Sequence, residues 1–429
     1  MRNMQTIKNE LLGERYYRYE HPSGLTVLLC PMAGYSSAYA LFATKYGSLD
    51  TCFKTTDESE LIEVPEGIAH FLEHKMFEDE DGDAFEKYAK TGASANAFTS
   101  FDRTAYEFLS SGEVYEALEV LLSMVTTPYF TQQSVEKEQG IIGQEIEMYN
   151  DNPGWRVFFN LLRAMYVKNP IRIDIAGTQQ TIAQIDKDLL YRCYHTFYNL
   201  RNMVLAVSGN FDPEKVLAVC DRLLKPAPDV GIDRFFPDEP EEVGQEYIEQ
   251  QFEVSIPLFQ FGYKVAPYTE QEQLHRSVAN DILLEAVAGE ASPLYARLYE
   301  QGLINDSFSY ESMIERECVA NIFSGESKDP KRVCAEIERA FDDVLQNGID
   351  AQAFERAKKY YYGRIVFAYN NVEAVASSLV TSFMYGRNAY DIVDALTVID
   401  RDAVNDTACR NFSGKHTALS VVTPKLAAV

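Results

Sequence analysis

The second half of this 429-residue chain repeats the pattern of its first half. Leu258–Val265 is similar to Tyr39–Tyr46, and His416–Thr423 is similar to Met203–Ser208. Between these apolar strands a pair of helical patterns occurs twice, at 114–149 and again at 332–367. A repeat of about 215 residues is far too long for a solenoid. The repetition therefore predicts an α+β fold of two duplicated domains, with strands mixed among helix pairs.

The domain limits are predicted from a change in composition in the middle of the chain. The segment 226–246 contains four prolines, many acidic residues and little periodicity, which is typical of a linker. We therefore expect an N-terminal domain at 1–225 and a C-terminal domain at 247–429.

Local patterns predict the elements that surround the most informative motif of the first half. Apolar periodicity predicts helices and alternation predicts strands. The predicted helices are Ile68–Phe77, Ala84–Thr91, Val114–Thr126 and Ser134–Tyr149, and the predicted strands are Ala93–Thr99, Thr104–Leu109 and Met203–Ser208.

Charge and cysteine usage narrow the classes of partner and compartment. The chain has 39 basic and 65 acidic residues and a net charge of −26, which disfavours binding to nucleic acid or an anionic membrane surface. Cationic partners, basic peptides among them, are favoured. The seven cysteines form no CxxC motif, which is typical of reduced thiols in the cytoplasm. We expect neither a secretory signal in the first 13 residues nor a membrane-spanning run.

The segment from Gly67 to His74 contains the pattern His-x-x-Glu-His. On a helix, His70 and His74 are one turn apart on the same face, so that both imidazoles can bind one ion. Nitrogen ligands suit Zn²⁺, which in catalytic sites takes three protein ligands and leaves a position for water. Glu73 lies beside the metal rather than on it, where a general base must stand. A pair of surface histidines is the alternative, but the flanking residues are apolar.

This spacing is that of the inverted zinc-protease motif. The residues from Pro65 to His74 resemble the pitrilysin/insulinase family of metallopeptidases, and the segments 96–99, 138–145 and 203–210 resemble further parts of that family. The resemblance implies a zinc endopeptidase with one Zn²⁺ per chain. It also implies the fold that processing peptidases share with LuxS: two domains, each a mostly antiparallel mixed sheet packed with helices, forming half of a clamshell.

A third zinc ligand is needed, and the family takes it from a glutamate about seventy residues past the second histidine. Glu145 matches, since it lies 71 residues after His74. Glu147 is the nearest rival on the same acidic helix. By the same resemblance, Glu138 supports the site from behind the ligands.

The small, β-compatible segment Asn96, Ala97, Phe98 and Thr99 is the predicted substrate-binding strand. The resemblance implies that it is an edge strand beside the zinc, to which an extended peptide adds by main-chain hydrogen bonds. An ordinary core strand is the alternative.

The second half departs from the family. Where the family has a substrate-grasping arginine and tyrosine, this sequence has Tyr299 and Asn305. A homologous partner subunit that supplies both residues, as in the processing peptidase, is therefore one expectation, and a homodimer is another. A non-catalytic structural or assembly subunit on the same fold is the alternative function. Among short bacterial members, the chain resembles the insulinase-like proteins associated with 5-aminopentanol modification of elongation factor P.

Overall fold

The computed structural model describes residues 4–80 and 82–425. These residues form two compact units. The first unit combines the chain up to Ile146 with Asp174–Phe235 and Val366–Asp391. The second unit combines Glu147–Ile173, Phe236–Ile365 and the chain from Ile392 onward. Within the described ranges, no helix is both long and apolar enough to cross a membrane.

Both halves of the chain contain strands and helices. The strands are β1 Gln5–Asn9, β2 Glu14–Glu20, β3 Thr26–Pro31, β4 Ala38–Thr44, β5 Cys52–Thr55, β6 Ile62–Glu63, β7 Glu78–Asp79, β8 Gly82–Asp83, β9 Ser94–Thr99, β10 Thr104–Ser110, β11 Met203–Gly209, β12 Ile232–Arg234, β13 Tyr247–Phe252, β14 Leu258–Val265, β15 Ser309–Glu315, β16 Cys318–Glu326 and β17 Thr417–Pro424. The helices are α1 Ile68–Lys75, α2 Ala84–Thr91, α3 Val114–Thr126, α4 Gln132–Asn150, α5 Pro153–Met165, α6 Gln179–Ile182, α7 Lys187–Phe197, α8 Pro213–Leu223, α9 Glu270–Ala288, α10 Pro293–Glu300, α11 Pro330–Asn347, α12 Ala351–Ala368, α13 Val372–Met384, α14 Asp391–Val398 and α15 Arg401–Phe412.

The five strands of the second unit's main sheet have the same topology as five of the seven strands of the first unit's main sheet. The first has the order β1-β2-β3-β11-β4-β10-β9, and the second has the order β13-β17-β14-β16-β15. In each, a late strand pairs in parallel with one neighbour and antiparallel with the other: β11 lies between β3 and β4, and β17 lies between β13 and β14. All other pairs in these two sheets are antiparallel. The predicted α+β fold with a duplicated, mostly antiparallel mixed sheet is confirmed.

Each unit also contains a helix from the other half of the sequence. Helix α5 packs against β14 and β17 of the second unit, and helix α13 packs against β4 and β11 of the first. The contact of α5 depends on Gly262, because a Cβ atom there would lie 2.5 Å from Met165 Sδ. The units therefore follow packing rather than chain order, and the limits predicted at 225 and 247 stay a prediction.

The part of the predicted linker from Phe236 onward belongs to the second unit, where Glu239 fixes it. One of its carboxylate oxygens accepts hydrogen bonds from the Val167 amide (2.8 Å) and from Lys264 Nζ (2.7 Å). The other accepts from the amides of Lys168 (2.7 Å) and Asn169 (2.8 Å). Burial alone would raise the pKa of Glu239, but these four donors outweigh it and lower the pKa below its usual value.

We expect Glu239→Gln to lower the free energy of unfolding at pH 7 by about 2–4 kcal/mol, since it leaves the buried Lys264 ammonium without its counter-charge. A carboxyl group with a lowered folded-state pKa stabilises the fold above its unfolded pKa of about 4.3, and this stabilisation is lost as the pH falls through the folded pKa. The difference in the free energy of unfolding between the wild-type protein and Glu239→Gln should therefore become smaller at acidic pH. Urea unfolding over a pH series measures it. Glu241→Gln, an exposed change in the same segment, is the control and should have little effect.

Candidate metal centre

Helix α1 carries the His-x-x-Glu-His motif and begins directly after Gly67. Gly67 has a φ of 85°, in the left-handed region, and a Cβ atom at this position would lie 2.5 Å from the Ala176 carbonyl oxygen. Only glycine allows the chain to pass this close to the loop at 176–177 while turning into the helix. The apolar residues of α1, Phe71 and Leu72 among them, are fully buried. Their burial fixes the rotation of the helix and therefore the direction of both histidines.

Three side chains converge at this helix. His74 Nε2 lies 3.3 Å from one carboxylate oxygen of Glu145, and His70 Nε2 lies 3.7 Å from the other. One nitrogen of each histidine and one oxygen of Glu145 all lie within 4.8 Å of one another. In tetrahedral zinc sites each ligand atom is about 2.0–2.2 Å from the ion, so that ligand atoms are a little over 3 Å apart. The three side chains could hold a metal ion after small rotations, and the rival Glu147 is not part of the group.

Glu138 lies behind His74, on the same helix as Glu145. Its carboxylate is 3.0 Å from His74 Nδ1, and only 6% of the residue is exposed. The tautomer with its proton on Nδ1 donates to Glu138 and leaves the lone pair of Nε2 for a metal. Such a carboxylate–histidine pair is the usual support of a zinc ligand. His70 differs, because its buried Nδ1 has no hydrogen-bond partner among the described residues.

The two histidines differ in proton affinity. Burial, assisted by the neighbouring His74, lowers the pKa of His70 to about 4. Burial also lowers the pKa of His74, but its hydrogen bonds with Glu138 and Glu145 outweigh burial and raise it to about 10. In the protein without metal, His70 is therefore neutral at pH 7 and ready to ligate, whereas His74 must release a proton when a metal binds.

Glu73 lies on the same helix between the two histidines and is outside the ligand group. Only 8% of the residue is exposed, and burial raises the pKa of its carboxyl group. Thr99 Oγ1 donates a hydrogen bond of 2.6 Å to Glu73 Oε2, which partly opposes this rise. A carboxylate of raised pKa, held beside the ligands without being one, is suited to accept a proton near neutral pH.

The predicted substrate strand lies at the edge of the first sheet. β9 comprises Ser94–Thr99, and within the described residues it pairs with β10 alone. Ala97 and Thr99 are on one face of the strand, and Asn96 and Phe98 are on the other, where Phe98 is 39% exposed. The outer edge of β9 thus has unpaired main-chain groups that an extended chain could bind. Of the four predicted residues, the structure brings the Thr99 side chain into contact with the site.

The hydrogen bond from Thr99 to Glu73 was not predicted. The sequence placed Thr99 on the substrate strand, and nothing in its local pattern links it to a residue of α1. Behind it, the buried hydroxyls of Tyr106 and Tyr198 are hydrogen-bonded to each other at 2.7 Å. No sequence signal pairs these two tyrosines, which are 92 residues apart.

The second unit has other chemistry at the equivalent place. Asn280 on α9 donates to Ser312 on the edge strand β15 (2.9 Å), as the counterpart of the contact between Glu73 and Thr99. Asp281, the next residue on α9, accepts a hydrogen bond from Tyr361. Burial raises the pKa of Asp281 to about 6, although Tyr361 and Arg364 oppose the rise. Residues 4–80 and 82–425 contain one group of His, Cys, Asp and Glu side chains with metal-binding geometry, and it lies in the first unit.

The comparisons with known proteins agree with this geometry. The family model described as Insulinase (Peptidase family M16) matches residues 62–179, and the model described as Peptidase M16 inactive domain matches residues 184–361. The uncharacterized zinc protease YmfH of Bacillus subtilis strain 168 is 39% identical over 98% of this chain and 100% of its own length. A crystal structure described as that of an M16-like peptidase from Alicyclobacillus acidocaldarius has a TM-score of 0.91 at 34% identity and covers 99% of both chains. Pitrilysin is similar in fold, with a TM-score of 0.75 at 17% identity over 98% of this chain and 46% of its own.

Proposed function

We propose that this chain, which belongs to the insulinase family of metallopeptidases (peptidase family M16), is the zinc-binding subunit of an endopeptidase. The observation that supports this most is the convergence of His70, His74 and Glu145, with the Glu73 carboxylate beside them as a fourth group that is not a ligand. Two imidazole nitrogens and one carboxylate oxygen are the donor set of a catalytic zinc site, which keeps one position open.

The side chains have separate tasks in this proposal. Zinc, when bound, would polarise water and a peptide carbonyl group. Glu73 takes a proton from the attacking water and later gives it to the leaving amine, as general base and then general acid. Glu138 holds His74 in the tautomer that binds metal.

The substrate that we propose is an extended or unfolded peptide. Residues Asn96–Thr99 would hold its main chain as an added strand on β9, which makes little demand on side-chain sequence. The net charge of −26 favours basic peptides over acidic ones, an effect that salt would screen.

A homologous partner subunit is part of the proposal, because Tyr299 and Asn305 stand at the positions where the family has an arginine and a tyrosine. Tyr299, at the end of α10, is 51% exposed. Asn305 is engaged in its own loop, where its amide donates to Glu326 (2.8 Å) and its oxygen accepts from the Ser307 amide (3.0 Å). A partner that carries the arginine and tyrosine would provide the side chains that bind the substrate carbonyl group. A homodimer would not supply them from this segment.

A non-catalytic subunit is the alternative. It is favoured by the match of residues 184–361 to the inactive-domain model and by the absence of the arginine and tyrosine. The intact metal site and Glu73 favour the enzyme.

A cleavage assay distinguishes the endopeptidase subunit from the non-catalytic subunit. The zinc-loaded full chain is incubated with unstructured fluorogenic peptides, one basic, one neutral and one acidic, with and without a candidate partner subunit. We expect cleavage in the presence of the partner that a chelator abolishes and added zinc restores, with the basic peptide cut fastest at low salt. Full activity of the chain alone would contradict the need for a partner. No cleavage under either condition, in a protein that holds zinc, would favour the non-catalytic alternative.

We also place the protein in the cytoplasm, since none of its seven cysteines, all within the described residues, forms a disulfide. The finer resemblance to insulinase-like proteins associated with elongation factor P modification stays a prediction. A neighbouring gene for a homologue that lacks the histidines but has the arginine and tyrosine would support the heterodimer.

A further inference from the structure

Among the residues that the structure describes, the Glu73 carboxylate has one hydrogen-bond donor. Within residues 4–80 and 82–425, Thr99 is the side chain that bonds it, and the bond goes to Oε2 at 2.6 Å. A general base must be held in position to act, and a glutamate side chain with three rotatable bonds is not held by its backbone alone. The partner that fixes this carboxylate therefore matters to the reaction.

The proton count of the neighbouring hydroxyls shows why Thr99 donates to Glu73. The buried Thr104 hydroxyl donates to the Tyr46 carbonyl oxygen at 2.9 Å, which uses its only proton. Thr104 Oγ1 lies 3.4 Å from Thr99 Oγ1 and so has no proton left for Thr99. Thr104 could therefore only accept from Thr99, and the Thr99 proton goes instead to Glu73 Oε2, which is closer, at 2.6 Å, and is the stronger acceptor. The Thr99 hydroxyl is therefore bonded to Glu73 Oε2 and not to Thr104.

We infer that Thr99 is a positioning residue for Glu73, an inference that rests on the proposed function. By occupying Oε2, the Thr99 hydroxyl leaves Oε1 as the oxygen that takes the proton. In that step an O–H bond of the attacking water breaks and an O–H bond to Oε1 forms. When the peptide C–N bond breaks, the same proton passes from Oε1 to the leaving nitrogen. Because Thr99 belongs to β9, the base is fixed to the strand on which the substrate main chain would lie.

The second unit shows which alternative must be tested. There Asn280 and Ser312 also join a helix to an edge strand, whereas the metal-binding group found among the described residues lies in the first unit. The contact in the first unit could therefore serve only to join α1 to β9. A joining role predicts a loss of stability, whereas a positioning role predicts a loss of turnover with an intact fold and intact zinc.

The test compares Thr99→Val, which removes the hydroxyl, with Thr99→Ser, which keeps it. Thr126→Val is the matched control, since it removes a hydroxyl of similar burial that bonds the Leu122 carbonyl oxygen away from the site. We expect Thr99→Val to lower kcat about 10–100-fold with KM within about twofold, and Thr99→Ser to retain kcat within about threefold. Zinc content and unfolding midpoint are measured for all variants, and Thr126→Val should retain the wild-type kcat. Crystal structures of the metal-free variants give a readout that needs no activity, and Glu73 should lose its single orientation in Thr99→Val alone.

Each outcome decides one point. Wild-type kcat in Thr99→Val, or an unchanged Glu73 orientation there, would overturn the inference. A fall in kcat that Thr126→Val or Thr99→Ser shares equally would do the same, because it would indicate general destabilisation or the loss of a methyl group. If the wild-type protein shows no zinc-dependent cleavage with any partner, the proposed function fails, while the crystallographic arm still decides whether Thr99 orients Glu73.

Discussion

Replacing Glu73 by glutamine is expected to abolish peptide hydrolysis and to leave the zinc content unchanged. The amide keeps the shape of the side chain, and it can still accept the hydrogen bond from Thr99. It cannot take a proton from water, so the general-base contribution of about 10²–10⁴-fold is lost. The raised pKa of Glu73, caused by its burial, is the property that the amide removes. Turnover of an unstructured peptide and metal analysis of the same sample measure the two effects separately.

The control for this change is Glu86→Gln, an exposed glutamate on the neighbouring helix α2. It makes the same change of charge and should leave both activity and zinc content unaltered. Loss of zinc from Glu73→Gln would show that Glu73 is a ligand rather than the base. Activity close to that of the wild type would show that another group takes the proton.

Elements with strong local signals could be predicted from the sequence. Helix α2 begins and ends where predicted, because the Asp83 side chain caps the Phe85 amide and Gly92 ends the helix with a φ of 70°. Helix α3 likewise has its predicted bounds. For α2, the residues that start and stop the helix are directly adjacent to it.

Pairings between distant segments could not be predicted. Strand β5 (Cys52–Thr55) pairs with β12, which lies in the segment interpreted as a linker. The exchange of α5 and α13 between the halves likewise depends on complementary surfaces, such as Gly262 against Met165, and not on the periodicity of either helix. Local sequence patterns carry no information on which sheet an amphipathic helix will cover.

In the candidate site, too, features set by local sequence could be predicted and contacts between distant segments could not. The spacing of His70 and His74 follows from helix geometry and could be read directly from the sequence. Glu145 was named through the family resemblance, and the structure brings it to both histidines. The Thr99 hydroxyl could not be placed on Glu73 in advance, because that contact depends on how α1 packs against β9.

Loss of zinc is the expected result of removing any of the three proposed ligands. His70→Ala and Glu145→Gln should each weaken zinc binding on the order of a thousandfold, since zinc sites in proteins reach about 10–16 kcal/mol shared among a few ligands. Glu138→Gln should weaken binding by only about 10–100-fold, because it removes the support of His74 and not a ligand. Zinc affinity measured by chelator competition would rank the three variants.

Glu147→Gln is the matched control on the same helix, since Glu147 is exposed and outside the ligand group. It should bind zinc like the wild-type protein, and loss of zinc in this variant alone would transfer the third ligand from Glu145 to Glu147. Thermal unfolding gives a second measure, because a metal that binds only the folded state raises Tm in proportion to its occupancy. Chelation should therefore lower the Tm of the wild type and of Glu147→Gln but leave His70→Ala unchanged. An equal fall in Tm in the wild type, Glu147→Gln and His70→Ala would mean that the stabilising metal is bound elsewhere.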